Sequence, residues 1–502
     1  MNHLFDQIRA RMPAGAAPFL TTSAGDVLTY GDLILRTGRI ANALTAFGVA
    51  PGDRVAAQVE KSPEALLLYL ACVRAGVIFL PLNPAYTTPE VGWFLADAEP
   101  RLVVCDSTRA AEIAAVAPPG AGVATLDADG SGSFSDRVAA STADLADAPR
   151  APDDLAAILY TSGTTGRSKG AMLTHENLAS NARALVEAWR FNRDDVLIHA
   201  LPIFHTHGLF VATNVTLFAG ASMLFFPRFD PAAVIAALPR ATVLMGVPTF
   251  YVRLLGHPGV TADAVRGMRL FVSGSAPLLA ETHAAWRERT GHALLERYGM
   301  TETNMNTSNP YDGERRAGTV GLPLAGIEVR IADPATGAGL ADGEKGMSEV
   351  RGPNVFPGYW RLPEKTAEDF RPDGFFITGD LGVRDADGYI AIVGRSKDLI
   401  ISGGFNVYPK EVEAEIDRLP GVVESAVVGL PHGDFGEAVT ALVVAGAGAR
   451  DEAALIAALA DRLARYKQPK RCLFVDELPR NAMGKVQKAE LRRIYAGLYR
   501  PD

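Results

Sequence analysis

The stretch Leu155-Ala156-Ala157-Ile158-Leu159-Tyr160-Thr161-Ser162-Gly163-Thr164-Thr165-Gly166-Arg167-Ser168-Lys169-Gly170 decides how the chain is read. Residues 155–159 form a continuous apolar run, as expected of a strand buried on both faces. From Thr161 onward, glycines alternate with hydroxyls, and Arg167 and Lys169 add positive charge. Gly163, Gly166 and Gly170 open backbone conformations closed to other residues. Every group that could face an anion there is a donor or a cation, so the loop suits a polyphosphate. It is not a Walker loop, because the G-x-x-x-x-G-K-[ST] spacing is absent.

Outward from that loop, the chain alternates strands and helices. Residues 54–58, 77–81 and 102–105 read as strands. Ser62-Pro63 and Thr88-Pro89 are helix starts, a polar cap followed by proline. Residues 127–147, rich in Gly, Ser, Ala and Asp, read as a loop. Beyond the loop, Thr174 caps a helix to about residue 189. Strands at 196–200, 222–226, 243–246 and 270–273 follow, with helices at 231–238 and about 279–290. Such alternation implies βαβ units and a parallel sheet. After about residue 321, short alternating runs joined by Asp, Gly and Pro turns suit a small antiparallel sheet or barrel. From residue 394 a compact α+β unit is expected, with strands at 399–401, 422–429, 438–444 and 472–474 and helices at 409–418 and 453–463. The expected class is α/β: a large N-terminal domain of parallel αβ-layered sheets plus a small β-barrel, with a smaller, mobile α+β C-terminal domain.

At 502 residues the chain is long enough for several cores. Its net charge of −8 argues against a general binder of nucleic acid or anionic membranes, though not against a local basic pocket. Cys72, Cys105 and Cys472 are too widely separated for a disulfide framework or a metal cluster. With no apolar run of signal-peptide or membrane-spanning length, a cytoplasmic protein is expected.

Five motifs then stand in a telling order: 160–170, Tyr298-Gly299-Met300-Thr301-Glu302, Thr378-Gly379-Asp380, Gly394-Arg395-Ser396-Lys397-Asp398 and Pro479-Arg480-Asn481-Ala482-Met483-Gly484-Lys485. Over almost its whole length the chain resembles the AMP-forming acyl-CoA synthetase superfamily, which includes firefly luciferase and nonribosomal-peptide adenylation domains. Within it, residues 297–313 and 204–210 resemble the bacterial malonyl-CoA synthetases. The resemblance implies an N-terminal adenylating domain over 1–395, barrel-like at about 320–395, and a C-terminal lid over 396–502. It implies two half-reactions with ATP and CoA as co-substrates and Mg²⁺ as cofactor. A carboxylate attacks the α-phosphorus, then the CoA thiol displaces AMP.

By the same resemblance, Thr161, Ser162, Gly163, Thr164, Thr165 and Lys169 hold phosphates, with Lys169 open to a role on the acyl side instead. Tyr298, Gly299 and Met300 flank adenine, Thr301 meets the α-phosphate, and Glu302 binds the metal, which suits an oxygen ligand for a hard cation. Asp380 and Arg395 are ribose contacts. Lys485 bridges the acyl carboxylate and the phosphates. It is also a candidate for a lysine acetyltransferase, since acetylation would remove its charge. Lys397 is the hinge about which the C-terminal domain turns, and Gly403, Gly404 and Phe405 lie on the face that meets CoA.

A malonate site must also hold a second carboxylate, and burying one unpaired costs several kcal/mol. Arginine is the best partner, being planar and bidentate. Arg253 and Arg297 lie in suitable segments, and the sequence does not choose between them. His205 matches the residue that gates or lines the acyl pocket. His207, Ser273, Gly274 and Met305 are further lining candidates. The two histidines lack a third ligand at zinc spacing. Short-chain or aryl acyl-CoA synthetases, a methylmalonate-accepting relative, and an adenylation module that loads a carrier protein are the competing readings.

Overall fold

In a computed structural model, which describes residues 1–161, 168–402, 405–432, 434–446, 451–460, 462–481 and 484–499, the apolar run is the strand Leu155–Thr161. It pairs in parallel with Ile78–Pro81, through Phe79 and Ala157, in a six-stranded sheet that continues through Arg54–Gln58, Leu102–Cys105 and Gly122–Thr125. Ile158, Leu80, Val103 and Ala56 pack from this sheet against Phe94 and Leu95 of the helix Thr88–Ala98.

The chain divides into two compact units. The first comprises Met1–Ala317, Gly321–Glu328 and Val350–Phe376. It holds the six-stranded sheet and a nine-stranded one. The centre of the larger sheet is parallel: Leu270–Ser273, Val243–Gly246, Val196–His199 and Ser222–Phe225. Trp286, Phe271 and Tyr251 fill the layer beside it, all fully buried.

The second unit comprises Gly318–Val320, Val329–Glu349 and Ile377–Asp502. It contains all but a few end residues of a four-stranded sheet in the order Glu328–Ala332, Lys345–Arg351, Phe376–Arg384, Ile390–Arg395. It also holds a five-stranded one built on the antiparallel pair Val422–His432 and Gly436–Ala445. The helix Pro409–Asp417 buries Val412 and Ile416 in that sheet's core. The α/β class with parallel sheets and a separate C-terminal domain is therefore observed.

Local chemistry explains most boundaries. Ser62 accepts from the Ala65 N–H and Pro63 opens the helix Pro63–Ala75, which Gly76 ends in the left-handed region at φ 67°. As expected, Thr174 caps the helix His175–Ala188, and before it a strand the sequence did not suggest, Lys169–Thr174, folds back antiparallel on Leu155–Thr161. Three expectations are corrected. The second proline-marked helix is capped by Thr87, one residue early, because the Glu90 carboxylate accepts from the Thr87 N–H at 2.7 Å. The stretch 127–147 contains the helix Ser133–Ala139, anchored by buried Phe134. The helix expected over 453–463 is shorter, Glu452–Ala458, started by the Asp451 side chain.

Candidate active site

The Tyr298-to-Glu302 motif is the tip of a hairpin, Leu295–Met300 paired antiparallel with Asn304–Ser308. The register slips between Tyr298 and Gly299. A Cβ on Gly299 would lie 1.9 Å from the Asn304 carbonyl oxygen, so only glycine fits this crossing. Thr301 is half-buried in the turn, and Glu302 is buried.

The Tyr359 hydroxyl donates to Glu302 Oε1 at 3.2 Å, and the Phe356 N–H donates to the Glu302 carbonyl at 2.8 Å. Burial, then the Glu302 and Asp369 carboxylates, push the Tyr359 hydroxyl well up, so it stays a donor. Lys169 joins this group. Its ammonium lies 3.6 Å from Asp369 and 4.1 Å from the Tyr359 ring centroid. Thr161 stands opposite Lys169 in the strand register. Ser162, Gly163, Thr164 and Thr165 lie outside the described residues. Neither Tyr359 nor Asp369 was singled out in the sequence. The only signal was an aromatic turn, Phe356-Pro357-Gly358-Tyr359-Trp360.

The acyl-side candidates converge at the strand ends of the large sheet. Arg297 is 2% exposed, and its Nε and Nη2 have no hydrogen-bond partner among the described residues. Desolvation pulls its guanidinium down to about 9. The guanidinium lies over the Gly274 backbone: a Cβ there would sit 2.6 Å from Cζ and Nε. Ser273 is fully buried with a partnerless hydroxyl, and Ser275, at φ 71°, brings its Oγ to 3.3 Å from His207 Nδ1. His207 is buried with Nε2 unpartnered among the described residues, and desolvation, then the charge of Arg297, hold it neutral. It opens a π-helical segment, His207–Ala212, a rare geometry associated with functional sites. The half-buried His205 turns its Nδ1 toward the His207 N–H at 3.5 Å. Met305 is 2% exposed, and its carbonyl accepts from Asn181 at 2.8 Å.

Arg253 does not belong to this cluster. It is exposed on the helix Pro248–Leu255, which turns Tyr251 and Leu254 inward instead. A position one helical turn past a strand end can face either way, and here the apolar neighbours took the buried face.

In the second unit, Asp380 and Arg395 stand opposite each other on adjacent antiparallel strands, Arg395 Nε donating to Asp380 Oδ1 at 2.8 Å. The Asp380 N–H donates to Thr378 Oγ1 at 3.0 Å. Lys397 is exposed on the short turn Ser396–Asp398. Phe405 is 56% exposed and packs at 4.8 Å on Tyr466, whereas Gly403 and Gly404 lie outside the described residues. The half-buried Lys485 follows Gly484, which is left-handed at φ 75°, and its N–H donates to Asn481 Oδ1 at 3.0 Å. No cluster of three or more His, Cys, Asp or Glu among the described residues could hold a metal by itself. No helix among them is long and apolar enough to cross a membrane.

The glycine-rich motif, the buried Glu302 at a hairpin tip and the lysine that follows Gly484 fit an adenylate-forming enzyme. The family models agree: residues 6–360 match the AMP-binding enzyme family and 411–485 the AMP-binding enzyme C-terminal domain. The chain belongs to this family and is an AMP-forming acid–CoA ligase. Among solved structures it is similar to ATP-bound MatB from Rhodopseudomonas palustris, 60% identical over 99% of this chain and 100% of that one, with a TM-score of 0.98. Among curated proteins it is 39% identical to a feruloyl-CoA synthase of Amycolatopsis sp, covering 97% of both chains. It is 37% identical to a malonate–CoA ligase of Arabidopsis thaliana, covering 89% of this chain and 79% of that protein.

Proposed function

We propose that the chain is a malonyl-CoA synthetase, converting malonate, ATP and CoA to malonyl-CoA, AMP and pyrophosphate through a malonyl-adenylate. The observation that carries this is the buried Arg297, whose Nε and Nη2 have no hydrogen-bond partner among the described residues. A buried guanidinium left without an acceptor is strongly unfavourable, so the missing acceptor is best supplied by the substrate. The distal carboxylate of malonate meets that need in bidentate form. Neutral His207 and the Ser273 hydroxyl are the next polar groups of the subsite. The similarity to a malonate–CoA ligase supports the reading. The feruloyl-CoA synthase relative favours an aryl acid, but an aryl ring would leave the guanidinium unpaired.

In the first half-reaction, one malonate carboxylate oxygen attacks the α-phosphorus and pyrophosphate leaves. Thr301 and Lys485 stabilise the charge that develops there. The phosphate loop 161–165, with Lys169, holds the leaving phosphates. Glu302 is a buried oxygen donor held by Tyr359, and Mg²⁺ commonly takes one or two carboxylates plus substrate phosphates. Glu302 therefore fits that ion, which supplies charge neutralisation when bound. Tyr298, Gly299 and Met300 line the adenine, and Asp380 and Arg395 the ribose. His205 gates the acyl pocket. In the second half-reaction the CoA thiol attacks the acyl carbonyl and AMP leaves, after the C-terminal domain, residues 396–502, turns about Lys397. Residues 403–405 then face CoA. The comparisons give no support for an acetyltransferase acting on Lys485.

The test is Arg297→Met in a pyrophosphate-release assay over a panel of malonate, methylmalonate, propionate, butyrate and ferulate. Removing one partner of a buried charged pair costs about 3 kcal/mol or more, so kcat/KM for malonate should fall at least about 100-fold. The melting temperature should hold or rise, because an unpaired buried charge has gone. An unchanged malonate rate, or a wild-type enzyme that prefers ferulate, refutes the reading.

A further inference from the structure

Lys61 is a buried lysine with no carboxylate partner among the described residues. It stands just before the capping Ser62 of the helix Pro63–Ala75, and its Nζ reaches across the unit to His199, the last residue of the strand Val196–His199. Nζ lies 3.0 Å from His199 Nδ1 and donates to the His199 carbonyl at 2.8 Å. The Phe225 ring lies on its remaining side, with the centroid 4.2 Å away.

The far nitrogen of the same imidazole has a defined role. His199 Nε2 is 2.9 Å from the Gly208 carbonyl oxygen, which can only accept, so Nε2 carries the proton and Nδ1 is the acceptor for Lys61. Thr213 Oγ1 donates to the same carbonyl at 3.0 Å. The loop between these points carries His205 and His207. It leaves the sheet at His199 and returns at Gly208, where the π-helical segment has just begun. Gly208 is pressed against the start of the loop: a Cβ would lie 2.1 Å from the Pro202 carbonyl oxygen. The imidazole thus ties the two ends of the loop together, and the lysine fixes which face of the ring does so.

We infer that Lys61 and His199 are positioning residues for acyl recognition: the Lys61 Nζ, donating to Nδ1, sets the tautomer and orientation of the His199 ring, and the ring closes the loop that aims His207 into the Arg297 subsite. This rests on the diacid reading of Arg297 and His207. It assigns a specificity role to a lysine that touches neither of those side chains. Burial keeps His199 neutral, as the tautomer requires, and burial likewise pulls Lys61 well below the ordinary lysine value, where its amine still has N–H groups to donate.

The experiment is Lys61→Met, which keeps the stem and removes the donors, measured by steady-state kinetics with malonate and ATP varied in turn. One displaced buried hydrogen bond corresponds to about a tenfold change, so KM for malonate should rise about tenfold while KM for ATP stays within about twofold. Lys61→Gln, which restores a donor, should recover most of the malonate affinity. A purely structural role would lower the fraction of folded enzyme and leave both KM values alone. That result, or equal rises in both, overturns the inference. Should Lys61→Met not fold, His199→Leu breaks the same closure from the ring side and must show the same split. Arg297→Met is run in parallel. If it raises the malonate KM and the Lys61 and His199 variants do not, only the positioning claim falls. If it too leaves malonate unaffected, the diacid subsite itself is wrong.

Discussion

The smallest change that should damage malonate use is one methyl group, Gly274→Ala. The new Cβ would sit 2.6 Å from Cζ and Nε of Arg297 and 2.7 Å from Nη1. Carbon contacts settle near 3.5 Å, so the guanidinium has to retreat by about 1 Å. That retreat is cheap for the fold, because Nε and Nη2 have no hydrogen bonds to break. A crowded but mobile group costs about 1 kcal/mol, a shift of only a few degrees in a melting curve. The same 1 Å is expensive for chemistry, since misplacements of that size cost about 100-fold in rate. The assay is pyrophosphate release with malonate varied at saturating ATP, then the reverse, beside a thermal melt. The expected result is a loss of about 30- to 100-fold in kcat/KM for malonate, a near-native KM for ATP and a near-native melt. If malonate kinetics are unchanged while the protein is folded, the guanidinium does not contact the substrate, and the argument from its burial is refuted. If the melt collapses, the strand end is carrying the fold and the packing account is wrong.

Two further outcomes are expected. Tyr359→Phe removes the hydroxyl that donates to Glu302 at 3.2 Å, so the Mg²⁺ concentration for half-maximal activity should rise about tenfold or more, the worth of one hydrogen bond to a charged group, with the malonate KM unchanged. His175 is held down to about 4 by burial, against 6.5 when free. The unfolded chain therefore binds the extra proton first, so stability is full above pH 6.5 and falls by up to about 3 kcal/mol as pH drops toward 4. Denaturant unfolding at the two ends of that window checks it, and His175→Gln should flatten the slope.

The sequence made the fold legible wherever a local signal had one meaning. Ser62-Pro63 with Gly76 defined a helix at both ends, because a hydroxyl cap, a proline and a left-handed glycine each satisfy a backbone need. The motif order identified the family. The sequence could not show that Lys169 would begin a returning strand, since that depends on pairing with Leu155–Thr161 rather than on its own composition. Nor could it choose between Arg253 and Arg297. Both lie in segments that the resemblance places beside the acyl pocket, and only the packing of Tyr251 and Leu254 turned one outward while the hairpin register turned the other in. Tyr359 and Asp369 were invisible for a related reason: they lie more than 50 residues from Glu302, as the separation of 57 for Tyr359 shows.

The proposed acyl subsite is built from groups left unsatisfied among the described residues. Arg297, His207 and Ser273 are all buried, and each carries at least one polar atom with no partner among those residues. In an apolar pocket that arrangement would be a defect, because each such atom loses its water without recompense. It becomes a selection device when the ligand brings the missing acceptors. A site built to pair polar groups rejects an analogue lacking them more strongly than a greasy site rejects an extra methyl. Propionate, with one carboxylate replaced by a methyl, should then be excluded more sharply than methylmalonate, which keeps both carboxylates and adds only bulk. Propionate is the smaller of the two acids, so pocket volume alone would favour it, and the order of their rates separates charge recognition from shape. Methylmalonate turned over faster than propionate means the guanidinium decides. The reverse order means that shape does, and the unpaired atoms have another explanation.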